Sequence, residues 1–207
     1  MNKASKLFVF SLLGSIGLTI TSQASAYVTF GYKYTNTPFQ MSYFNDCSTY
    51  VYNGTSINFY SAVQSGVSSW NNTSNTKVLM NQTTTQAQSV MDFHNQDVGD
   101  PSVLGQTSFW NNATKVDPTT TNWYWTRVLM NQNADWAYFA QAALYKDMNA
   151  KARYTAAHEE GHALGLNHAP SSTALMYGTS APYVYYNITT PQTDDVAGVQ
   201  GIYGTLK

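Results

Sequence analysis

Residues 158–168 read His-Glu-Glu-Gly-His-Ala-Leu-Gly-Leu-Asn-His, and three of the chain's four histidines fall inside that stretch. Positions four apart on an α-helix share a face, so His158 and His162 can direct two imidazoles at one cation. A helix continued to His168 would carry the third ring about ten residues, or about 15 Å of axial rise, away from His158. Gly165 stands between them. A left-handed C-terminal cap needs a residue without Cβ at such a position, and a break there lets the chain bring His168 back to the same point. Three neutral imidazoles about 2.0–2.1 Å from Zn²⁺ leave one position open for water, as a catalytic site requires.

The chain has only two glutamates, Glu159 and Glu160. Glu159 adjoins the first histidine and can reach a zinc-bound water without being a ligand. Zinc lowers the pKa of such a water to about 7. Glu159 would then take its proton during attack on a peptide carbonyl and pass it to the leaving amine. Aspartate would fall short by one methylene. Glu160 lies about 100° further round the helix and is expected to face away from that water.

HEEGHALGLNH matches the long zinc signature of the metzincin peptidases. Eight residues after His168 comes Met176, in the string Ala-Leu-Met-Tyr-Gly. That string resembles the Met-turn, a tight turn placing a methionine beneath the zinc ligands. The spacing and the Leu-Met-Tyr string resemble the matrixin branch. Residues 193–204 (TDDVAGVQGIYG) are similar to that branch's C-terminal helix, and Asn122 to Asn131 to its last strand before the active-site helix. From Tyr27 to Thr121 the agreement is only in the order of elements.

The resemblance implies a metzincin-like catalytic domain: a mixed twisted sheet with an N-terminal helix, an active-site helix, a Met-turn and a C-terminal helix. It implies a zinc-dependent endopeptidase acting on proteins or peptides. His158, His162 and His168 would hold one catalytic zinc, with Glu159 as the base. Asp194 and Asp195 would brace the Met-turn and the mature N-terminus. Some metzincins add a tyrosine ligand two residues after the methionine, but Gly178 stands there, so the adjacent Tyr177 is not counted as a ligand. Ala169 and Gly178 replace a usual serine and a usual proline. Animal matrixins carry a pro-segment whose cysteine blocks the zinc. Cys47, the only cysteine here, lacks the pattern around such a residue, and no cysteine switch is expected. With only His94 left over, the family's second, structural zinc is not expected either. Asp92, Asp97 and Asp100 could contribute to a calcium site with backbone carbonyls, although ordinary turn carboxylates are the simpler reading.

The elements that must position these residues are legible as patterns. Phe39 to Phe44 alternates as a strand does. Ile57, Tyr60, Val63, Val67 and Trp70 fall at spacings of three and four, which predicts a helix from about Ser56 to Trp70. Short strands are predicted over 77–81, 89–93, 103–110 and 123–131, with a polar loop over 111–122. A helix is predicted over 151–164. A last one is predicted from Thr190-Pro191, with proline at its first position, and an irregular segment over 177–190 precedes it. Strand, helix, several strands, helix, loop and helix make one α+β domain.

Residues 1–26 read as an export signal. Lys3 and Lys6 precede an uncharged, mostly apolar stretch from Leu7 to Ile20, and Ala24-Ser25-Ala26 supplies small residues for cleavage. Ser11, Gly14, Ser15 and Gly17 interrupt the stretch, which is short for a bilayer span. Residues 27–207 would then form the catalytic domain of a secreted, extracellular protein without stable membrane insertion. Without Lys3 and Lys6 the chain has eight basic against eleven acidic side chains, a formal charge of −3. No basic patch stands out, and nucleic acid is not an expected partner. A second reading, from another class, is a secreted binding or adhesion protein on a metzincin scaffold with lost or incidental activity. The intact Glu159 argues against it. A zinc hydrolase acting on a non-peptide bond is a third. The cleavage site predicts that the secreted form begins at Tyr27. N-terminal sequencing checks this, and a start beyond Cys47 would overturn it.

Overall fold

The computed structural model describes residues 27–35, 40–137 and 147–206. The expected export signal and Phe39, the first residue of the first expected strand, lie outside the described residues.

A six-stranded mixed sheet carries the site. Its order is β5 (Met80–Gln82), β2 (Met41–Asn45), β6 (Met91–Gln96), β9 (Trp125–Asn131), β7 (Gly105–Asn111) and β8 (Thr114–Val116). β5, β2, β6 and β9 run parallel to one another, while β7 is antiparallel to both β9 and β8. The buried side chains Met91, Phe93, Val128 and Met130 mark the sheet face turned to the core, because successive strand residues point to opposite faces. α1 (Phe59–Asn71) and α2 (Met148–Ala163) pack on each other, and α2 lies against β7 and β9. The architecture is α+β, as the order of elements predicted, with the mixed sheet that the resemblance implied.

Several boundaries differ from the sequence reading, each for a local reason. The first helix begins at Phe59 rather than near Ser56. Asn53 and Gly54, both at positive φ, close a hairpin between β3 (Thr49–Tyr52) and β4 (Thr55–Asn58). An Asn-Gly turn of this kind matches the twist of paired strands. Asn58 then caps the helix by accepting the Ser61 N–H at 2.9 Å. Ile57, expected on the helix stripe, is buried from the strand instead, and Tyr60 is exposed. The buried helix face is Phe59, Ala62, Val63, Gly66, Val67 and Trp70. Within the expected 111–122 loop, Asn112 at positive φ turns the chain into β8. The expected irregular segment over 177–190 contains α3 (Ala181–Tyr186), capped by Asn187 in the left-handed conformation. The last helix, α4 (Thr193–Tyr203), starts after Gln192, so Pro191 precedes it rather than opening it.

Glu160 does face away from Glu159's surroundings, but it is not a solvated side chain. It is fully buried at 0% exposure, and neither carboxyl oxygen has a hydrogen-bond partner among the described residues. Those oxygens stand 2.6 and 2.7 Å from where a Cβ on Gly66 would be. Burial raises its carboxyl well above the usual carboxylate range, and the side chain packs between the helices.

The segment after α2 is tied down from two sides. β10 (Leu166–Asn167) pairs antiparallel with β1 (Val28–Thr29), and the Phe30 N–H donates to the Gly165 carbonyl at 3.0 Å. Further on, the buried Asp195 carboxylate accepts N–H bonds from Leu175 (2.8 Å), Met176 (3.0 Å) and Gln192 (2.7 Å). One side chain thus fixes both the turn at Met176 and the start of α4. An orphaned buried donor costs about 1–3 kcal/mol. Asp195→Ala is therefore expected to lower stability by about 3 kcal/mol or more in denaturant unfolding. A loss below about 1 kcal/mol would show that the three bonds do not hold the turn.

Candidate metal centre

His158 and His162 lie one helical turn apart on α2. The helix stops at Leu164, and Gly165 takes φ 102°. β10 then carries the chain back to His168. One nitrogen from each of the three rings lies within 4.8 Å of the others. The three sequence-predicted histidines are therefore brought together.

The outer ring nitrogens decide which lone pairs point inward. His158 Nδ1 donates to the Leu175 carbonyl at 2.9 Å, and His162 Nδ1 to the Leu166 carbonyl at 2.8 Å. A carbonyl only accepts, so both protons sit on Nδ1 and both Nε2 lone pairs are free to bind a cation. His162 Nε2 and His168 Nε2 are 3.2 Å apart. Two nitrogens on one tetrahedral zinc stand about 3.3–3.4 Å apart, given bonds of about 2.0–2.1 Å. That contact is better read as two ligand atoms facing a shared cation position than as a hydrogen bond. Burial pushes the His158 imidazole down to about 4 and that of His162 well below its ordinary value. It also lowers that of His168. All three rings are neutral at neutral pH, as metal ligation requires. The donor set, the 3.2 Å spacing of two of its nitrogens and its outer hydrogen bonds fit a zinc ion.

Glu159 is buried beside the cluster. Its carboxylate Oε2 accepts a 2.8 Å bond from the Thr107 hydroxyl on β7. Burial raises its pKa to about 7, against the lowering effect of that bond. His158, Glu159 and His168 open onto a cavity of about 670 Å³ that continues past Leu104, Gly105 and Thr155 to Lys151 and Asp135. Gly178, Thr179 and Ser180 also line it, with Gly178 against the His168 ring and the segment held to α2 by the Tyr154 hydroxyl donating to the Thr179 carbonyl at 2.8 Å. At the far end the Lys151 ammonium donates to the carbonyls of Asp135 and Trp136 at 3.2 and 3.3 Å. Burial lowers its pKa to about 8, with Asp135 acting in the opposite direction.

Met176 is buried and packs against Gly161, between the two helical histidines in sequence. Cys47 is buried, and burial raises its thiol to about 12, which leaves an inert thiol rather than a metal-seeking thiolate. Asp92, Asp97 and Asp100, the suggested calcium carboxylates, do not converge as a group among the described residues. Among the described residues, the histidine trio is the one group of three potential ligands that converges. Asp97 and Asp100 instead accept backbone N–H groups of their own turn, from Gly99 at 2.7 Å and Ser102 at 2.8 Å. Asp92 is bonded to Ser89 and Gln86. Thr107, Gly105, Tyr154 and Lys151 had no role in the sequence reading. Their part depends on strand and helix meeting across long sequence separations, and no local pattern reports that.

The matrixin family model matches residues 17–204, and the chain belongs to that family of metallopeptidases. It is 50% identical to human matrix metalloproteinase-20 over 52 residues, covering 25% of this chain and 11% of that protein. It is 47% identical to human neutrophil collagenase over 60 residues, covering 27% and 13%. A putative matrix metalloproteinase of Spodoptera frugiperda ascovirus 1a is 36% identical over 77 residues, covering 36% and 20%. The chain thus matches no more than a fifth of the length of these three relatives. The fold is similar to a chain in the GM1-bound form of the ECX AB5 holotoxin, with a TM-score of 0.55, 17% identity and 78% of each chain covered.

Proposed function

We propose that this chain is a secreted zinc-dependent endopeptidase, in which His158, His162 and His168 hold the metal and Glu159 is the general base. The observation that carries this reading is the convergence of three neutral imidazoles beside a buried carboxylate, with His158, His168 and that carboxylate opening on one cavity. Zinc supplies Lewis acidity there, which makes water nucleophilic near neutral pH and polarises a carbonyl. Glu159 removes the proton of the attacking water and returns it to the leaving amine. Its burial raises its pKa and so strengthens it as a base, while the Thr107 hydroxyl holds the carboxylate. The carbonyls of Leu175 and Leu166 keep the His158 and His162 rings in the tautomer and orientation that ligation needs. The cavity receives a substrate side chain and excludes water from one flank of the scissile bond.

Secretion belongs to the same proposal. It rests on the apolar segment and small-residue site within 1–26. No helix among the described residues is long and apolar enough to cross a membrane.

Peptide turnover and zinc content of the purified protein test the reading. Glu159→Ala is expected to keep its zinc and its fold while turnover falls about 10²–10⁴-fold, the range for a positioned base. His162→Ala should lose the zinc itself. Full turnover by Glu159→Ala, or no chelator-sensitive cleavage of a broad peptide library by the zinc-loaded native protein, would replace the peptidase by the binding-protein reading.

A further inference from the structure

Strand β7 meets α2 at the Glu159 side chain, and two of its residues are fitted to that meeting. The Thr107 hydroxyl stands 2.8 Å from Oε2 of Glu159 and 3.0 Å from the carbonyl oxygen of the same residue. It bridges the backbone and the far end of one side chain, which closes a ring through every rotatable bond of Glu159. Two residues earlier on the same strand face, Gly105 leaves the space that this side chain fills. A Cβ at 105 would stand 2.8 Å from Glu159 Cγ and 3.1 Å from Oε1. The sheet explains neither choice. Thr107 is opposite Val128 and Gly105 opposite Met130 in a register carried by the backbone, which any strand-forming residue could adopt. The hydroxyl at 107 meets Glu159, and the missing Cβ at 105 leaves room for Glu159 and for the Thr155 methyl, which would stand 2.9 Å from it.

A buried carboxylate on three rotatable bonds samples several rotamers unless something restrains it, and a displacement of about 1 Å at a reacting group costs on the order of 10²-fold in rate. We propose that β7 provides a seat for Glu159, in which Gly105 admits the side chain and Thr107 anchors Oε2 so that Oε1 is presented to the attacking water. This inference rests on the reading of Glu159 as the base. Gly105 lines the cavity, whereas Thr107 approaches from behind the carboxylate. Thr107 is therefore a positioning residue, acting through Glu159 rather than on substrate.

The test compares Thr107→Val, which keeps the shape and removes the hydroxyl, with Thr107→Ser, which keeps the hydroxyl. Both are made in the full chain and assayed zinc-loaded for kcat, KM and zinc content. Losing one hydrogen bond to a charged group predicts a kcat about 10–100-fold lower for Thr107→Val. KM and zinc content should stay within about twofold of native, and Thr107→Ser should recover kcat to within about threefold. In a Glu159→Ala background Thr107→Val should cost nothing more, because the two residues act as one unit. If Thr107→Val fails to fold, Thr107→Ala is judged by the same criteria. A native kcat in the hydroxyl-free variant overturns the seat. So does a loss that serine does not rescue, one that follows zinc loss, or one that persists without Glu159. Full activity of Glu159→Ala alone would instead overturn the assignment of the base, which keeps the two failures apart.

Discussion

A helix cannot place three histidines at positions 158, 162 and 168 around one point, and the end of α2 resolves that constraint. Gly165 at φ 102° is strained for any residue with a Cβ. The space there is also tight, with the Ile202 side chain and the Tyr32 carbonyl 3.1 and 3.3 Å from where a Cβ would stand. The turn it permits sends the chain into β10, and the pairing of β10 with β1 fixes where His168 arrives. The same turn exposes the Leu166 carbonyl to His162 Nδ1. One backbone reversal therefore delivers the third ring and orients the second.

The remaining supports radiate from that point. Leu175, whose carbonyl orients His158, lies in the turn that Asp195 pins through two N–H bonds. On the other side of α2, Trp70 donates from its indole to the Ala157 carbonyl at 2.9 Å, and Glu160 fills the gap opposite Gly66. A buried acid without a partner costs stability relative to an apolar residue of similar size. Its retention here has no account in the geometry of the site. β7 closes the third side, and the proposed base sits between its Gly105 and Thr107.

How much of this was legible in the sequence depended on whether the signal was local. The histidine spacing, the glycine break and the methionine eight residues on are short-range patterns, and they led to residues that the structure brings together. The two long helices and the central strands were legible for the same reason. The hairpin over 49–58 is ambiguous in the sequence because Ile57 fits a helical stripe as well as a strand face, and only the Asn53-Gly54 pair marks the turn. The Pro191 helix start failed because the capping pair of Gln192 and Asp195 sets the helix two residues later. Glu160's burial, the Thr107 contact and the Lys151 end of the cavity arise where distant segments meet. A single sequence carries no mark of those meetings.

The central claim is that one zinc is held by three imidazoles and by no sulfur. Zinc-edge X-ray absorption on the purified protein tests it most directly. The account predicts three imidazole nitrogens at about 2.0–2.1 Å, completed by one oxygen donor. Sulfur in the first coordination sphere at about 2.3 Å, or fewer than three imidazoles, would contradict it.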